Sequence, residues 1–452
     1  MRSSRWSVPL GSALGVLAVL LRLLLLRRRY FDTDELEHLH AALALAHGNV
    51  LYKSFFELHG PVFYWLLRPL AAAVAGPIRL IVAARVLMLG FWAIMLGAQW
   101  RTSREAPRAE RVFGVLFLLF FTSFSLKSLE IRPDVPAAAI LCGLLVLAER
   151  GDLGVWQPLG LGAGVGVGLL TSLKFVYPAA GLVAVVLVRA WRTPRALSFP
   201  RYAALLALGA AVPLALVSAV FASQDALPDL YRCYILFSLR FQRGVSPWHA
   251  LLPSLLENPV LWAFAAWTVF KERRASVLVC TLAASLAGFA VVPSAYAQYF
   301  LFVGPMLAAL AAKRTTGAAA ASVALLSFAA SLALHARALR QDNALQTERI
   351  RCVETMTAPG DRIVDTWSGE SFHRPHAGYY WFWPEDVHAM LSAQAEPVLL
   401  ASLSAPSTRG LIWSDTYMPQ MPPSVQDYAR AHYHAAGCGR LFLRNEEPPH
   451  AR

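Results

Sequence analysis

The chain has 452 residues, of which 57% are hydrophobic and only 15% charged, with a mean hydropathy of +0.47. Soluble globular proteins carry about 25% charged residues, so this composition excludes an ordinary soluble domain and places repeated apolar runs in a bilayer. The formal charge of +13 does not point to nucleic acid: the basic residues fall in short clusters between apolar runs, and no nucleic-acid motif accompanies them.

Apolar stretches of spanning length, or nearly so, run at about 8–26, 78–99, 112–126, 134–148, 158–172, 175–190, 202–222, 257–270, 275–292, 297–312 and 317–334. A helix needs roughly 20 apolar residues to cross a bilayer, and several stretches fall short, so the reading is about eleven transmembrane helices with some half-spans among them. The first stretch lacks a clear A-x-A cleavage site and leads straight into polar chemistry, which predicts a retained span rather than a signal peptide. Arginines set the orientation. Short basic loops at 101–111 (Arg101, Arg104, Arg108, Arg111), 189–201 (Arg189, Arg192, Arg195, Arg201), 271–274 (Lys271, Arg273, Arg274) and 313–314 (Lys313, Arg314) all fall inside if the N-terminus is cytoplasmic. Arg27, Arg28 and Arg29 disagree, because they then lie outside.

The outer segments on this topology are 27–77, "KSLEIRPD" (127–134), a turn around Lys174, 223–256 and "PSAYAQ" (293–298). Within 27–77, residues 36–47 have helical spacing and 61–76 are apolar behind Pro61, as expected of helices lying along a membrane surface. Beyond Leu334 the chain changes character. "QDNALQTERIRCVETM" is helix-like, "DRIVDTW" strand-like, "EDVHAMLSAQ" helix-like, "VLLASL" and "RGLIWSD" strand-like, "VQDYARAHYHAA" helix-like and "RLFLR" strand-like. This alternation predicts a small α/β domain over 335–452, extracytoplasmic, behind a membrane domain over 1–334. The five cysteines form no metal-binding spacing. Cys142 and Cys280 sit in apolar runs, whereas Cys352 and Cys438 would pair in an extracytoplasmic domain. There is no internal repeat of the period that marks solenoids.

The stretch "DTDELEHLHAALALAHGNVLYKSFFELHGPVFYWLLRPL" (32–70) gathers Asp32, Asp34 and Glu35 directly after a long apolar run. Acids at a loop end are ordinarily just solvated. Here His38, His59 and the turn-forming "HGP" stand beside them at the mouth of a helix bundle, where ionisable groups are functional candidates. The stretch resembles the first external loop of GT-C membrane glycosyltransferases, the protein O-mannosyltransferase and aminoarabinose-transferase superfamily. That loop reads roughly D-E-x-x-[YH], then G-x-x-x-Y, then H/K-x-P-L-x-Y. Asp34 and Glu35 stand at the acidic pair, Gly48 and Tyr52 at the second element, and His59, Pro61 and Tyr64 at the third. "IRPDVPAAAILCGLLVLAE" places Arg132, Pro133 and Asp134 at an R-P-D, and "AYAQYFLFVGPMLAAL" places Tyr296, Tyr299 and Pro305 at a late Y-x-x-Y…P. The resemblance covers roughly the first 190 residues well and the later spans loosely. It reaches 335–452 only as an extracytoplasmic α/β cap.

Such enzymes, the resemblance implies, move a monosaccharide from a polyprenyl-phosphate lipid to a glycan, lipid or protein acceptor, with inversion at the anomeric carbon. An acceptor hydroxyl is a poor nucleophile, so a carboxylate must take its proton as the new bond forms. Asp34 is the expected base, with Glu35 and Asp134 as further catalytic candidates; Asp134 would orient the acceptor or hold Arg132. The leaving lipid phosphate calls for fixed cations and donors, for which Lys174, Arg85, Arg132, Arg240, Arg243 and Tyr299 are candidates. Asp32, His38, Tyr52 and His59 would position substrate. Blander readings stand beside these: Arg85 as a snorkelling side chain, Lys174 as an interfacial anchor, Tyr296 and Tyr299 as belt aromatics, His40 and His47 as surface residues. No cofactor is required; His38, Asp34 and His59 could hold a divalent metal, though no ligand spacing demands it. Lys174 follows the Gly-rich "GLGAGVGVGLL", whose small residues would let helices approach and leave room for a lipid headgroup. The preference for Arg over Lys, with abundant Ala, suggests GC-rich coding and a bacterial inner membrane.

Two other classes compete. A lipid-sugar flippase or transporter predicts inverted repeats and charges near the bilayer midplane, whereas this sequence has no repeat and its acids lie at the edge. A non-catalytic scaffold leaves the first-loop cluster unexplained. A transferase of whole oligosaccharides would carry a W-W-D-Y-G-type motif in its soluble part, for which "WSGE" (367–370) and "WSDT" (413–416) do not substitute.

Overall fold

The computed structural model describes residues 6–150, 153–192, 197–240, 245–272, 276–292, 295–381, 383 and 385–445. Helices run in chain order as α1 (Ser7–Arg28), α2 (Thr33–Ala46), α3 (Pro61–Ala73), α4 (Pro77–Thr102), α5 (Arg108–Phe120), α6 (Thr122–Lys127), α7 (Asp134–Ala148), α8 (Trp156–Thr171), α9 (Val176–Arg192) and α10 (Phe199–Ser223), then Pro259–Glu272, Val277–Val291, Phe300–Ala312 and Ala318–Arg337. All eleven apolar stretches fall on these helices, 112–126 being broken at Phe121 between α5 and α6. By length and composition, five segments suffice to cross a membrane: Ser7–Arg28, Pro77–Thr102, Leu173–Arg192, Phe199–Ser223 and Ala318–Arg340. With the shorter apolar helices packed among them, they make a multi-pass membrane protein. Every residue of Phe300–Ala312 is buried, so this helix is the axis around which α5, α7 and Pro259–Glu272 pack.

Small residues set how closely the helices approach. A Cβ added at Gly162 of α8 would fall 2.0 Å from the Leu206 carbonyl oxygen, and one at Gly209 of α10 would fall 2.4 Å from that of Leu159. The Gly-rich span therefore packs backbone to backbone against α10. This corrects the expectation that its glycines leave room for a lipid headgroup. Gly60 does the same at the start of α3, where a Cβ would lie 2.2 Å from the Leu170 carbonyl oxygen.

Residues 27–77 hold α2 and α3, as their spacing predicts. Asp32 caps α2 in a capping box: its side chain accepts from the backbone of the first turn, while Glu35 accepts from the Asp32 amide at 3.0 Å. Arg29, one of the three arginines that break the charge rule, is buried with Glu130 at 2.7 Å, so it is a packing partner rather than a loop charge.

The C-terminal segment contains four strands, β1 (Arg362–Asp365), β2 (Thr408–Ile412), β3 (Tyr433–Ala435) and β4 (Leu441–Arg444), in the order β1-β2-β4-β3. β1 and β2 are parallel, and the other pairs antiparallel. "VLLASL" is not a strand; it belongs to the helix Ala395–Ser404, which buries Ala395, Leu399, Ser402 and Leu403 at helical spacing. Cys352 and Cys438 form a disulfide with a Cα–Cα distance of 5.9 Å, tying the helix Ala344–Met356 to the turn before β4. The segment is fastened to residues 27–77 by polar contacts. Gln346 brackets the backbone of Phe31 at 2.7 and 2.8 Å, and the Tyr379 hydroxyl donates to the Tyr52 carbonyl at 2.6 Å.

Candidate active site

The first turn of α2 directs Asp34 and Glu35 to different surroundings. Glu35 is fully buried. Arg85 of α4 grips it from Nε at 2.8 Å and from Nη2 at 2.6 Å, and the amides of Ile131 and Asp32 donate at 3.1 and 3.0 Å. Arg85 spends its remaining donors on the carbonyls of Leu26, Arg29 and Tyr30. The pair is closed to ligands. This removes Arg85 from the phosphate-binding candidates and Glu35 from the catalytic ones: a guanidinium with its donors saturated by protein has none to give a phosphate.

Asp34, by contrast, keeps 28% of its side chain exposed. Arg132 Nη1 holds one of its oxygens at 2.6 Å, Nη2 reaches Asp32 at 2.9 Å, and Nε reaches Glu130 at 2.5 Å. Glu130 is in turn satisfied by Arg29 and by Lys127, the latter at 2.9 Å. Three carboxylates and three cations thus interlock, and Arg132, 7% exposed, is the clasp of the acids rather than a free phosphate ligand. Its partners are Asp32, Asp34 and Glu130, not Asp134. Burial alone would raise the Asp34 carboxyl. The Arg132 guanidinium, assisted by His59 and Lys127, outweighs burial and holds it below the usual carboxylate range. Asp32 moves the other way, raised chiefly by burial and by Glu130 and Asp34 beside it. Asp34, on the open side, is therefore ionised.

Asp134 opens α7 and is 1% exposed. The Ser172 hydroxyl donates to it at 2.7 Å and the Lys174 ammonium at 2.9 Å. Lys174 stands in the turn after α8, a quarter exposed, with its nitrogen 5.5 Å from the centre of the buried Tyr299 ring. Arg240 is exposed at the end of a short helix, and Arg243 lies outside the described residues.

Between these groups lies a nest of imidazoles. The His38 Nδ1 meets the Tyr64 hydroxyl at 2.9 Å, and His59 Nδ1 meets Glu57 at 2.8 Å. The two rings stand edge to face with centroids 4.6 Å apart. Burial, then the charges of His59, Arg132 and Lys174, hold His38 well below its ordinary pKa, so it is neutral. Tyr52 is fully buried, in the left-handed region at φ 67°, and donates its hydroxyl to the His59 carbonyl at 2.5 Å. It shapes the His59 loop and cannot touch substrate. His40 is not a surface residue: it bonds the Phe372 carbonyl and His376, each at 2.8 Å, and stacks on Trp381 at 3.5 Å. His47 is exposed, as expected.

Sequence reasoning missed Lys127, Glu130, Glu37 and Glu57. Glu57 replaces Asp34 in the His38–His59 group with metal-ligand geometry; the E-x-H spacing to His59 was the available signal. Glu37, one turn beyond Asp34, is held well above the ordinary carboxyl range by burial and by the charges of Glu57 and Asp34.

No family model and no curated protein matches this sequence. Solved structures do match. ArnT from Cupriavidus metallidurans bound to undecaprenyl phosphate aligns with a TM-score of 0.68 and 14% identity over 96% of this chain and 97% of that one. The same protein in its apo state gives 0.67 and 12% over the same shares. The Archaeoglobus fulgidus oligosaccharyltransferase tethered to an acceptor peptide with the NVT sequon gives 0.52 and 12%, over 99% of this chain and 75% of that one. At these identities the likeness is one of architecture, and it runs almost end to end: the chain has the ArnT-like GT-C fold.

Proposed function

We propose that this protein is an integral-membrane glycosyltransferase. It moves a monosaccharide from a polyprenyl-phosphate donor to an acceptor hydroxyl on a glycan, lipid or protein outside the cytoplasm. The observation that carries the reading is Asp34. It is an ionised, partly exposed carboxylate, oriented by Arg132 at 2.6 Å, at the mouth of a GT-C fold. In support, one structure of this fold holds undecaprenyl phosphate.

Asp34 accepts the acceptor's hydroxyl proton as that oxygen attacks the anomeric carbon. The bond from that carbon to the phosphate oxygen breaks with inversion, and polyprenyl phosphate leaves. Charge grows on the phosphate as it departs, and Lys174 meets it; Asp134, itself held by the Ser172 hydroxyl, fixes the ammonium, and the Tyr299 ring lies beside it. Asp32 and Glu130 take part only by holding Arg132. The disulfide in the C-terminal segment suits an oxidising compartment. It supports the orientation proposed from the basic loops, with residues 335–452 outside the cytoplasm and the N-terminus inside, across a plasma or inner membrane.

The test is release of the lipid carrier. Purified protein in detergent, given a panel of polyprenyl-phosphate sugars and an envelope extract as acceptor, should liberate free polyprenyl phosphate from one donor. Intact donor recovered from every member of the panel would favour a flippase, which only relocates the lipid.

A further inference from the structure

His38, Glu57 and His59 each offer one ligand atom, and these atoms lie within 4.8 Å of one another. We propose that they form a binding site for one divalent transition-metal ion of the zinc class.

Three features of the site point to a ligand rather than to packing. The residues converge from two elements, His38 from α2 and the other two from the loop before α3. His38 and Glu57 are almost fully buried while His59 is one-fifth exposed, so the group opens on one side only. His38 is also anchored through Nδ1 to the Tyr64 hydroxyl at 2.9 Å, a group outside the ligand set. Metal-binding histidines are held in this way, with one ring nitrogen fixed by a polar partner so that the other presents its lone pair.

The donor set selects the ion. Two imidazoles and one carboxylate suit zinc and its neighbours; magnesium and calcium prefer oxygen alone. Zinc–ligand bonds of about 2.1 Å place tetrahedral ligand atoms roughly 3.4 Å apart, so binding draws the group in by up to about 1.4 Å. Three protein ligands leave at least one position for water or a hydroxyl. Charges nearby act in both directions. Asp34 lies within electrostatic reach of the group and favours a cation, whereas Arg132 and Lys174 act on His38 and oppose it.

Metal uptake can be read without any sugar donor, so the outcome is independent of the transferase reading. Full-length protein, purified in detergent without a polyhistidine tag and stripped with EDTA, is titrated with Zn²⁺ by calorimetry and with Co²⁺ by visible absorption. The expected result is one ion per chain and the intense visible bands of four- or five-coordinate Co²⁺. Losing a group that merely orients a ligand costs about 10–100-fold in affinity, so Tyr64→Phe should fall in that range and His38→Ala and His59→Ala beyond it. His47→Ala, an exposed histidine elsewhere, should bind as the parent does. If buried His38 does not tolerate replacement, the more exposed His59→Ala and the parent's Co²⁺ spectrum decide. Absence of saturable uptake, Co²⁺ bands of a six-coordinate aquo ion, or uptake unchanged in His59→Ala would each overturn the site.

Discussion

Asp34 and Glu35 are neighbours in the chain, and each is bound by one arginine, yet the two pairs do opposite work. Glu35 and Arg85 lie wholly inside the protein, with both carboxylate oxygens bonded twice. Asp34 and Arg132 stand at the rim, the carboxylate more than a quarter exposed. A closed pair joins α2 to α4 and carries no ligand. An open pair is oriented but still reachable, as proton transfer requires. The helix turn separates them: consecutive residues point about 100° apart, so the capping box that buries Glu35 leaves Asp34 facing outward.

The largest expected effect breaks the open member. Asp34→Asn keeps shape and hydrogen bonding but removes basicity. It should cut carrier release by about 100- to 10,000-fold while thermal unfolding stays close to that of the parent. Next comes the closed pair. Arg85→Ala leaves Glu35 buried and unpaired, which costs about 3–5 kcal/mol; the expected outcome is a much lower yield of folded protein and an earlier melt in detergent. A folded, stable Arg85→Ala protein that fails only in catalysis would reverse the assignment of the two pairs.

Smaller is the effect of Lys174→Ala, which tests the other end of the site. Asp134 keeps the Ser172 hydroxyl, so the fold should persist. Use of the donor should weaken by about 1.5–3 kcal/mol, roughly ten- to a hundredfold in kcat/KM. The acceptor's KM should not move.

The smallest effect concerns a third carboxylate, intermediate between the two. Glu370 is buried with Arg349 at 3.2 Å on one oxygen, while its other oxygen has no hydrogen-bond partner among the described residues. Burial, aided by the nearby Asp365, pushes its carboxyl up to about 7 from an ordinary 4.5. The folded chain therefore holds this proton more tightly than the unfolded chain, and stability falls as pH rises from about 4.5 to about 7. Melting temperature followed across that window should decline, and Glu370→Gln should flatten the decline.

Much of the scaffold was readable in advance. Long apolar runs can only be helices in a bilayer, because no water is there to satisfy the backbone, and the runs fall on helices, five of them in segments long and apolar enough to cross. The disulfide partners were the two cysteines beyond the last of those runs. "VLLASL" misled because a six-residue apolar run fits a buried strand and a buried helix equally. Pairings were the least legible part. Arg85 meets Glu35 across 50 residues, Arg132 meets Asp34 across 98, and His40 meets His376 across 336. Residue type announces a need for a partner in such cases, but only the fold says which partner is near. Glu57 was passed over for the same reason, since a glutamate in a loop gains meaning only when two imidazoles close around it.

The central claim is that Asp34 does chemistry where Glu35 holds structure. Side-by-side assay of Asp34→Asn and Glu35→Gln tests it most directly, measuring polyprenyl phosphate released per folded molecule together with melting temperature. Expected are a stable, inactive Asp34→Asn and a destabilised Glu35→Gln whose surviving folded fraction still turns over. A stable, inactive Glu35→Gln beside an active Asp34→Asn would contradict it.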